Sequence, residues 1–437
     1  MKKNAGTDKP FTLNAHKRND NHKGEVSVPV TPTYPGVYIE KISSGIHTIT
    51  GVSTSVAAFV GPAKKGPIDK AVHIFNFDDF ERCFGGLFEY SEMSYALHQF
   101  FSNGGNDAWV VRVAKNTDAA TFVPPLYEKL EVDDRGEDEI IESDAYNIYI
   151  ASRAKRKGIY ALEDVDIFNI LCLPGISDSG ILMDAISYCQ ERRAFMIIDA
   201  PRDINKPAEM IEAIKRTAVP KSDYAAIYYP WIQISDPLNS GKLRSCSPSG
   251  TIAGLYARTD STRGVWKSPA GMDATLSGVQ GVDYLLTDME NGTLNPLGVN
   301  CIRIFPLYGT VAWGSRTLHG SDQMISEYKY IPTRRLALFI EESLYRGTQW
   351  VVFEPNDETL WSQVRLNIGT FMHSLFRQGA FQGKAPKEAY FVKCNNETTT
   401  QDDINKGIVN IAVGFAPLKP AEFVIIQIQQ MAGQIQA

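Results

Sequence analysis

The sequence predicts an α/β protein, and three observations carry that prediction. Over 167–230, short apolar runs alternate with amphipathic stretches, giving strands at 167–173, 195–198 and 225–229 and helices at 181–192 and 208–216. Parallel neighbours need a long crossover, so this spacing implies a mostly parallel sheet covered by helices. A helix, a glycine stop and a strand already occur at 91–113, and the last third of the chain repeats the alternation.

The chain has 437 residues, enough for two or three domains. Up to Lys23 six basic side chains face two acidic ones, with few large apolar groups, so the first 28 residues are expected to lack order. The two lysines at the start have no apolar segment after them, and no secretory signal is predicted. Thr31-Pro32-Thr33-Tyr34-Pro35 reads as an extended lead-in. Val37, Tyr38, Ile39 and Ile42 then form a strand candidate, able to pair within its own domain or with another chain.

Residues 56–60 read as a buried strand closed by Gly61 and Pro62. Ser91 is placed to cap a helix to Ser102, because Met93, Ala96, Leu97, Phe100 and Phe101 fall on one helical face. Asn103-Gly104-Gly105 stops it, and a strand follows at 108–113. Residues 128–144 carry nine acids against two basic residues and read as an exposed insertion. No calcium-loop spacing with its turn glycine occurs there. Further on, 334–345 and 358–378 are predicted helices. Strands are expected at 349–353, 389–394, 408–415 and 422–429.

The chemistry is sparse. The formal net charge is −6 and the pI about 5.7, which argues against nucleic acid as the main partner. No apolar run approaches the roughly 18 residues of a membrane span, so no direct membrane insertion is expected. Six scattered cysteines form no CxxC pair and read as buried reduced thiols. None of the seven histidines pairs with another at helical spacing. Phosphate-cradling glycine loops and HExxH are absent, and at Gly175-Ile176-Ser177-Asp178-Ser179-Gly180 the second glycine falls one residue late for a nucleophile elbow. Ser177 or Asp178 more simply caps a helix. No catalytic residue, metal site or cofactor is predicted.

Several stretches carry a family resemblance. They include Tyr34-Pro35-Gly36-Val37-Tyr38-Ile39-Glu40, Phe100-Phe101-Ser102-Asn103-Gly104-Gly105 and Ser247-Pro248-Ser249-Gly250-Thr251-Ile252-Ala253-Gly254. Later come Trp313-Gly314-Ser315-Arg316-Thr317-Leu318, Val352-Phe353-Glu354-Pro355-Asn356-Asp357 and Pro420-Ala421-Glu422-Phe423-Val424-Ile425-Ile426. Each is weak alone; their joint order over 34–430 is specific. Together they resemble the contractile tail sheath family of phages and related injection systems. The chain resembles a compact version of the family, which points toward an extracellular injection system or pyocin-like particle.

The resemblance implies a mixed-sheet sheath core domain built from N- and C-terminal parts, plus a middle α/β domain that is subtilisin-like and non-catalytic. It divides the chain into a basic tail (1–30), a linking arm (31–45), a first α/β stretch (46–120), a surface insertion (121–160), the middle domain (161–320) and a C-terminal domain (321–437). A hydrolase on that middle domain is the competing reading. It lacks a base beside Ser249, which is expected to cap its helix. A tail-tube or other non-contracting particle protein is a third.

By the same resemblance the chain is a subunit that polymerises helically around an inner tube and contracts on stored energy. Its partners would be its own copies, an inner tube protein, and baseplate and terminator or cap proteins. The implied setting is assembly in a bacterial cytoplasm and release without a signal peptide. Terminal strands knit neighbours in the family, and the matching residues are Val37, Tyr38, Ile39 and Ile42 at one end and Phe423, Val424, Ile425, Ile426 and Ile428 at the other. The second set is apolar and uncharged, a hazard in a monomer and useful in a polymer. Arg365, Arg377, Lys384 and Lys387, on and after the long helix at 358–378, are candidates to face the tube.

Overall fold

A run of apolar residues that can be buried on both sides belongs in the middle of a parallel sheet, and the strands at the centre of this protein are such runs. The computed structural model describes residues 47–114, 144–216, 218–322 and 326–425. Its main sheet has eight strands. In chain order the strands are β1 (Ala57–Gly61), β2 (Ala71–Ile74), β3 (Ala108–Arg112), β4 (Ile170–Cys172), β5 (Phe195–Asp199), β6 (Ala225–Tyr229), β7 (Ile232–Ser235), β8 (Leu243–Cys246), β9 (Val279–Val282), β10 (Val299–Phe305), β11 (Gly309–Ala312), β12 (Tyr390–Lys393) and β13 (Ala412–Phe415). The main sheet runs β11-β10-β6-β5-β4-β1-β3-β2. Its six inner strands are parallel, and only the edge strands β11 and β2 pair antiparallel. Strands from 57–112 and from 170–312 thus share one sheet.

Alternate residues of each inner strand enter different cores, as the two-residue period requires. Ala58, Val60, Leu171, Met196, Ile198 and Ile227 face one side, where α4 (Ser179–Glu191) and α5 (Pro207–Lys215) pack. Ala57, Phe59, Ile170, Cys172, Ile197 and Ala226 face the other, under α2 (Glu92–Ser102), α6 (Ser249–Arg263) and the small sheet β8-β7-β9. The remaining helices are α1 (Phe77–Phe84), α3 (Asp144–Tyr149), α7 (Asp288–Leu294), α8 (Ile331–Gly347), α9 (Glu358–Arg377), α10 (Pro386–Ala389) and α11 (Gln401–Asn405). Ser91 caps α2 through Ser94 N, and Asp178 caps α4 through Ile181 N.

Helices α2 and α6 approach closely because α6 presents Gly250 and Gly254. A Cβ at Gly250 would lie 2.1 Å from the carbonyl oxygen of Ala96, and one at Gly254 2.5 Å from that of Phe100. Across the molecule, Arg335 of α8 makes two bonds to Asp260 of α6, at 2.9 and 2.6 Å, and a third to the carbonyl of Thr54. A third core gathers α8 and α9 with Leu336, Ile340, Val364, Ile368 and Phe371, and takes in Ile49 from the start of the described chain.

Several expectations need correction. The strand predicted at 349–353 is a single 3-10 turn, Gln349–Val351, between α8 and α9. Trp350 and Val351 pack against the third core from that turn, and Trp350 stacks on His47, so the apolar run needs no strand partner. The strand predicted at 408–415 shrinks to Ala412–Phe415. Ser249 is the first residue of α6 and not its cap; Pro248 holds the cap position and has no side-chain acceptor. Phe423, Val424 and Ile425 are exposed and outside any strand, while Ile426 and Ile428 lie outside the described residues, as do Val37, Tyr38, Ile39, Ile42 and nearly all of the acidic stretch.

Candidate assembly interface

Strands β12 and β13 form a ribbon that stands apart from the main sheet. Tyr390 pairs with Phe415, Phe391 with Gly414, Val392 with Val413 and Lys393 with Ala412. Tyr390, Val392, Val413 and Phe415 turn toward the third core beside α9. On the outer face the Phe391 ring lies over Gly414, where a Cβ would come within 2.2 Å of it. Among the described residues no third strand pairs with either edge. Among those residues each edge of the ribbon thus lacks a third strand, apart from an isolated antiparallel bridge of Phe381 with Pro417 just past β13, and such an edge is a template for an incoming strand.

The C-terminal segment leaves the body at a built anchor. Arg316 is completely buried, and its Nε and one terminal nitrogen donate to the two carboxylate oxygens of Glu422 at 2.8 and 2.7 Å. The other terminal nitrogen donates to Asp322 at 2.9 Å and to the carbonyl of Asn295 at 3.0 Å. Asn300 grips the Arg316 backbone from both sides, and the Tyr330 hydroxyl donates to Glu422 at 3.3 Å. The bonded Lys329 ammonium holds the Asp322 carboxyl below the usual carboxylate range, and Arg316 adds to that pull. Beyond the anchor, Phe423, Val424 and Ile425 stand 73%, 79% and 85% exposed.

The four candidate cations do not form one group. Arg365 is tied back onto its own subunit, donating to Glu358 at 2.6 Å, to Ser362 and to the carbonyl of Cys394. Arg377 at the C-terminal end of α9, Lys384 in the turn into α10 and Lys387 within α10 are exposed, and make no ion pair among the described residues.

The serine at the start of α6 is placed for structure. Ser249 is fully buried; its Oγ donates to Asp199 at 2.8 Å and its backbone N–H to the other carboxylate oxygen at 2.7 Å. Gly175 N–H adds a third bond at 3.0 Å. Asp199, at the end of β5, so caps α6 from another element. Burial pushes its carboxyl up to about 7, against the pull of these three donors. None of the described histidines bonds to either residue: His47 stacks on Trp350, His73 pairs with Asp107, His98 meets Phe77, His319 donates its backbone N–H to the carbonyl of Ser222 and His373 meets Tyr390. A buried serine with no imidazole is not an activated nucleophile.

The described residues also hold no cluster of three or more metal-binding side chains and no helix long and apolar enough to cross a membrane. Comparison with known proteins accounts for what they do hold. The family description "Phage tail sheath protein central domain" matches residues 151–318, and "Phage tail sheath C-terminal domain" matches 325–431. The contracted helical sheath of the anti-feeding prophage superposes with a TM-score of 0.68 at 30% identity, over 92% of this chain and 100% of that one.

The chain belongs to the contractile tail sheath family.

The sheath complex of an extracellular contractile injection system, PVC, in its contracted state gives a TM-score of 0.71 at 27% identity, over 92% of this chain and 99% of that one. A prophage major tail sheath protein of Pseudomonas aeruginosa (strain UCBPP-PA14) is 26% identical over 284 residues, 62% of this sheath protein and 69% of its relative. This sheath protein is accordingly a contractile sheath subunit, a component of a phage tail or tail-like particle. Its fold is a mixed α/β sheet like that of sheath structures, and its family is structural. Sequence reasoning missed the ribbon as a unit and the Arg316–Glu422 anchor, although Arg316 and Glu422 both lie in stretches that carry the resemblance.

Proposed function

We propose that sheath subunits are joined by strands lent to the open edges of the β12/β13 ribbon. The donors are the segments around Val37, Tyr38, Ile39 and Ile42 and around Phe423, Val424, Ile425, Ile426 and Ile428. The observation that carries this reading is the ribbon itself: two paired strands joined by no third strand among the described residues, on the same body whose tail leaves with three apolar side chains in water. Each donated strand gains backbone bonds and side-chain contacts together, and a bending connector keeps neighbours linked while the lattice shortens. Head-to-tail donation is heterologous and generates an open helix.

Contraction is then a rigid-body repacking toward the lattice of lower free energy, driven by energy stored at assembly. Arg377, Lys384 and Lys387 face acidic groups on an inner tube protein; each exposed pair contributes only about 0–1 kcal/mol, which suits release on firing. Baseplate and cap proteins close the two ends. The middle region is read as a subtilisin-like scaffold without activity, which the buried Ser249 supports. The particle assembles in a bacterial cytoplasm and is released by lysis or a non-classical route.

Deleting residues 426–437 removes the outer part of one donor, with Ile426 and Ile428, and leaves the Glu422 anchor in place. The expected product is a folded subunit with unchanged melting that forms no striated tubes in electron microscopy. Normal tubes from that truncation would sink the strand-donation reading.

A further inference from the structure

Among the described residues Phe353 has no partner that explains it. Its ring is completely exposed, and its backbone sits at φ 72°, a left-handed conformation that is costly for a bulky side chain. The loop that carries it is stiff. Glu354 N–H returns to the carbonyl of Val351 at 3.2 Å. Asn356 donates to the carbonyl of Ile408 at 3.0 Å and accepts from Trp361 Nε1 at 2.9 Å. The phenyl ring and the neighbouring exposed Glu354 carboxylate are thus held out together as a knob at the N-terminal end of α9.

The other end of α9 carries a socket. Helix α9 has 20 residues, so its far end lies about 30 Å away at 1.5 Å per residue. There, beside Gln378 and Gly379, a cavity of about 1060 Å³ opens. Trp266, Trp313, Pro332 and Leu418 give it apolar walls, and Arg263 and Lys419 stand exposed at its rim. Glu354 and Lys419 form no ion pair among the described residues.

We propose that the Phe353 knob of one subunit seats in this cavity of a second copy, with Glu354 meeting Lys419 at the rim. The proposal rests on the reading that the chain polymerises, and adds to it a side-chain contact separate from the lent strands. Three observations select a second copy as the occupant. Knob and socket sit at opposite ends of one rigid helix, so they cannot meet within a molecule and form a heterologous, open series between molecules. Their charges are opposite, which orients the approach. Phe423, at the root of the departing tail, lines the same cavity, so the contact continues into the proposed strand-donation surface.

The test uses the full chain and reads the critical concentration for polymer by sedimentation. Phe353→Ala, Glu354→Lys and Lys419→Glu should each raise it at least tenfold, and Glu354→Lys combined with Lys419→Glu should bring it back to within threefold of the parent. The proposal is overturned if the single variants polymerise like the parent, or if the double variant is no better than the worse single one. It is also overturned if the variants lose only co-assembly with tube protein, since the occupant would then be the tube. Strand donation is judged separately, because deleting 426–437 leaves knob, socket and rim charges in place. Harmless charge reversals beside a crippling truncation would remove the knob alone; the reverse pattern would remove the lent strands alone.

Discussion

Arg316 and Glu422, 106 residues apart in the chain, meet in a two-pronged ion pair whose arginine is entirely shut off from water. Taking away one member of such a pair leaves the other charge buried and is strongly destabilising, by about 3–5 kcal/mol for a well-buried case. Glu422→Ala is expected to lie near the lower figure, because Asp322 still touches Arg316. Denaturant unfolding checks the loss. Limited proteolysis should also show earlier cleavage near Leu418 than in the parent.

Asp199 makes stability depend on pH in an unusual direction. Its carboxyl is near 7 in the folded subunit and near 3.9 in an unfolded chain. Between those values the folded form holds a proton that the unfolded form does not, so this group's contribution falls as pH rises from about 4 to 7. One proton gives a slope of at most about 1.4 kcal/mol per pH unit. Asp199→Asn should flatten that slope in unfolding curves taken between pH 4 and 8, at the cost of a lower baseline. An unchanged slope would mean that Asp199 titrates normally.

Gly254 marks where α6 lies against α2. A methyl group there would meet the Phe100 carbonyl and the Asn103 side chain at 2.5 and 2.8 Å. Gly254→Ala should cost about 1–3 kcal/mol through overpacking, even though alanine favours helix. Gly369 of α9, whose added Cβ would meet nothing within 4 Å, is the control. Gly369→Ala should gain about 1 kcal/mol.

Ser249 should not react. A serine-directed phosphonate is expected to leave the folded subunit unmodified, and Ser249→Ala should lower stability by about 1 kcal/mol through loss of the bond to Asp199. Labelling at Ser249 in mass spectra would revive the hydrolase reading.

Charge reversal separates the cations of the C-terminal region. Reversing Arg377, Lys384 and Lys387 together should weaken co-assembly with tube protein, in a manner that added salt reproduces in the parent. Arg365→Glu should act through subunit stability, because that side chain is already bonded to Glu358 and Cys394. Melting curves beside pull-down of tube protein distinguish the two effects.

The parts legible in the sequence are those with local periodicity. The run from Ile170 to Tyr229 shows its alternation because each strand is buried on both faces and each crossover helix has one apolar side. Ser91 and Asp178 announced their helices through capping, which is also local. The edge and ribbon strands were harder: β12 and β13 have four residues each and are only partly buried, so their pattern is short and weak. Phe353 misled, since an apolar residue after Trp350, Val351 and Val352 extends an apparent strand while its backbone in fact turns the other way. Ion pairs such as Arg316–Glu422 leave no trace in spacing, because their partners are brought together only by the tertiary fold.

The holding of both ends of the described chain against one body has a mechanical consequence. Ile49 is wedged against Gly347 and the α8/α9 layer, and Glu422 is locked on Arg316. A pull on Ile49 or on Glu422 would therefore enter the folded body at a fixed root and be shared among packed helices. The body between those two roots would bear such a pull as one unit, because the same packed cores lie behind both of them.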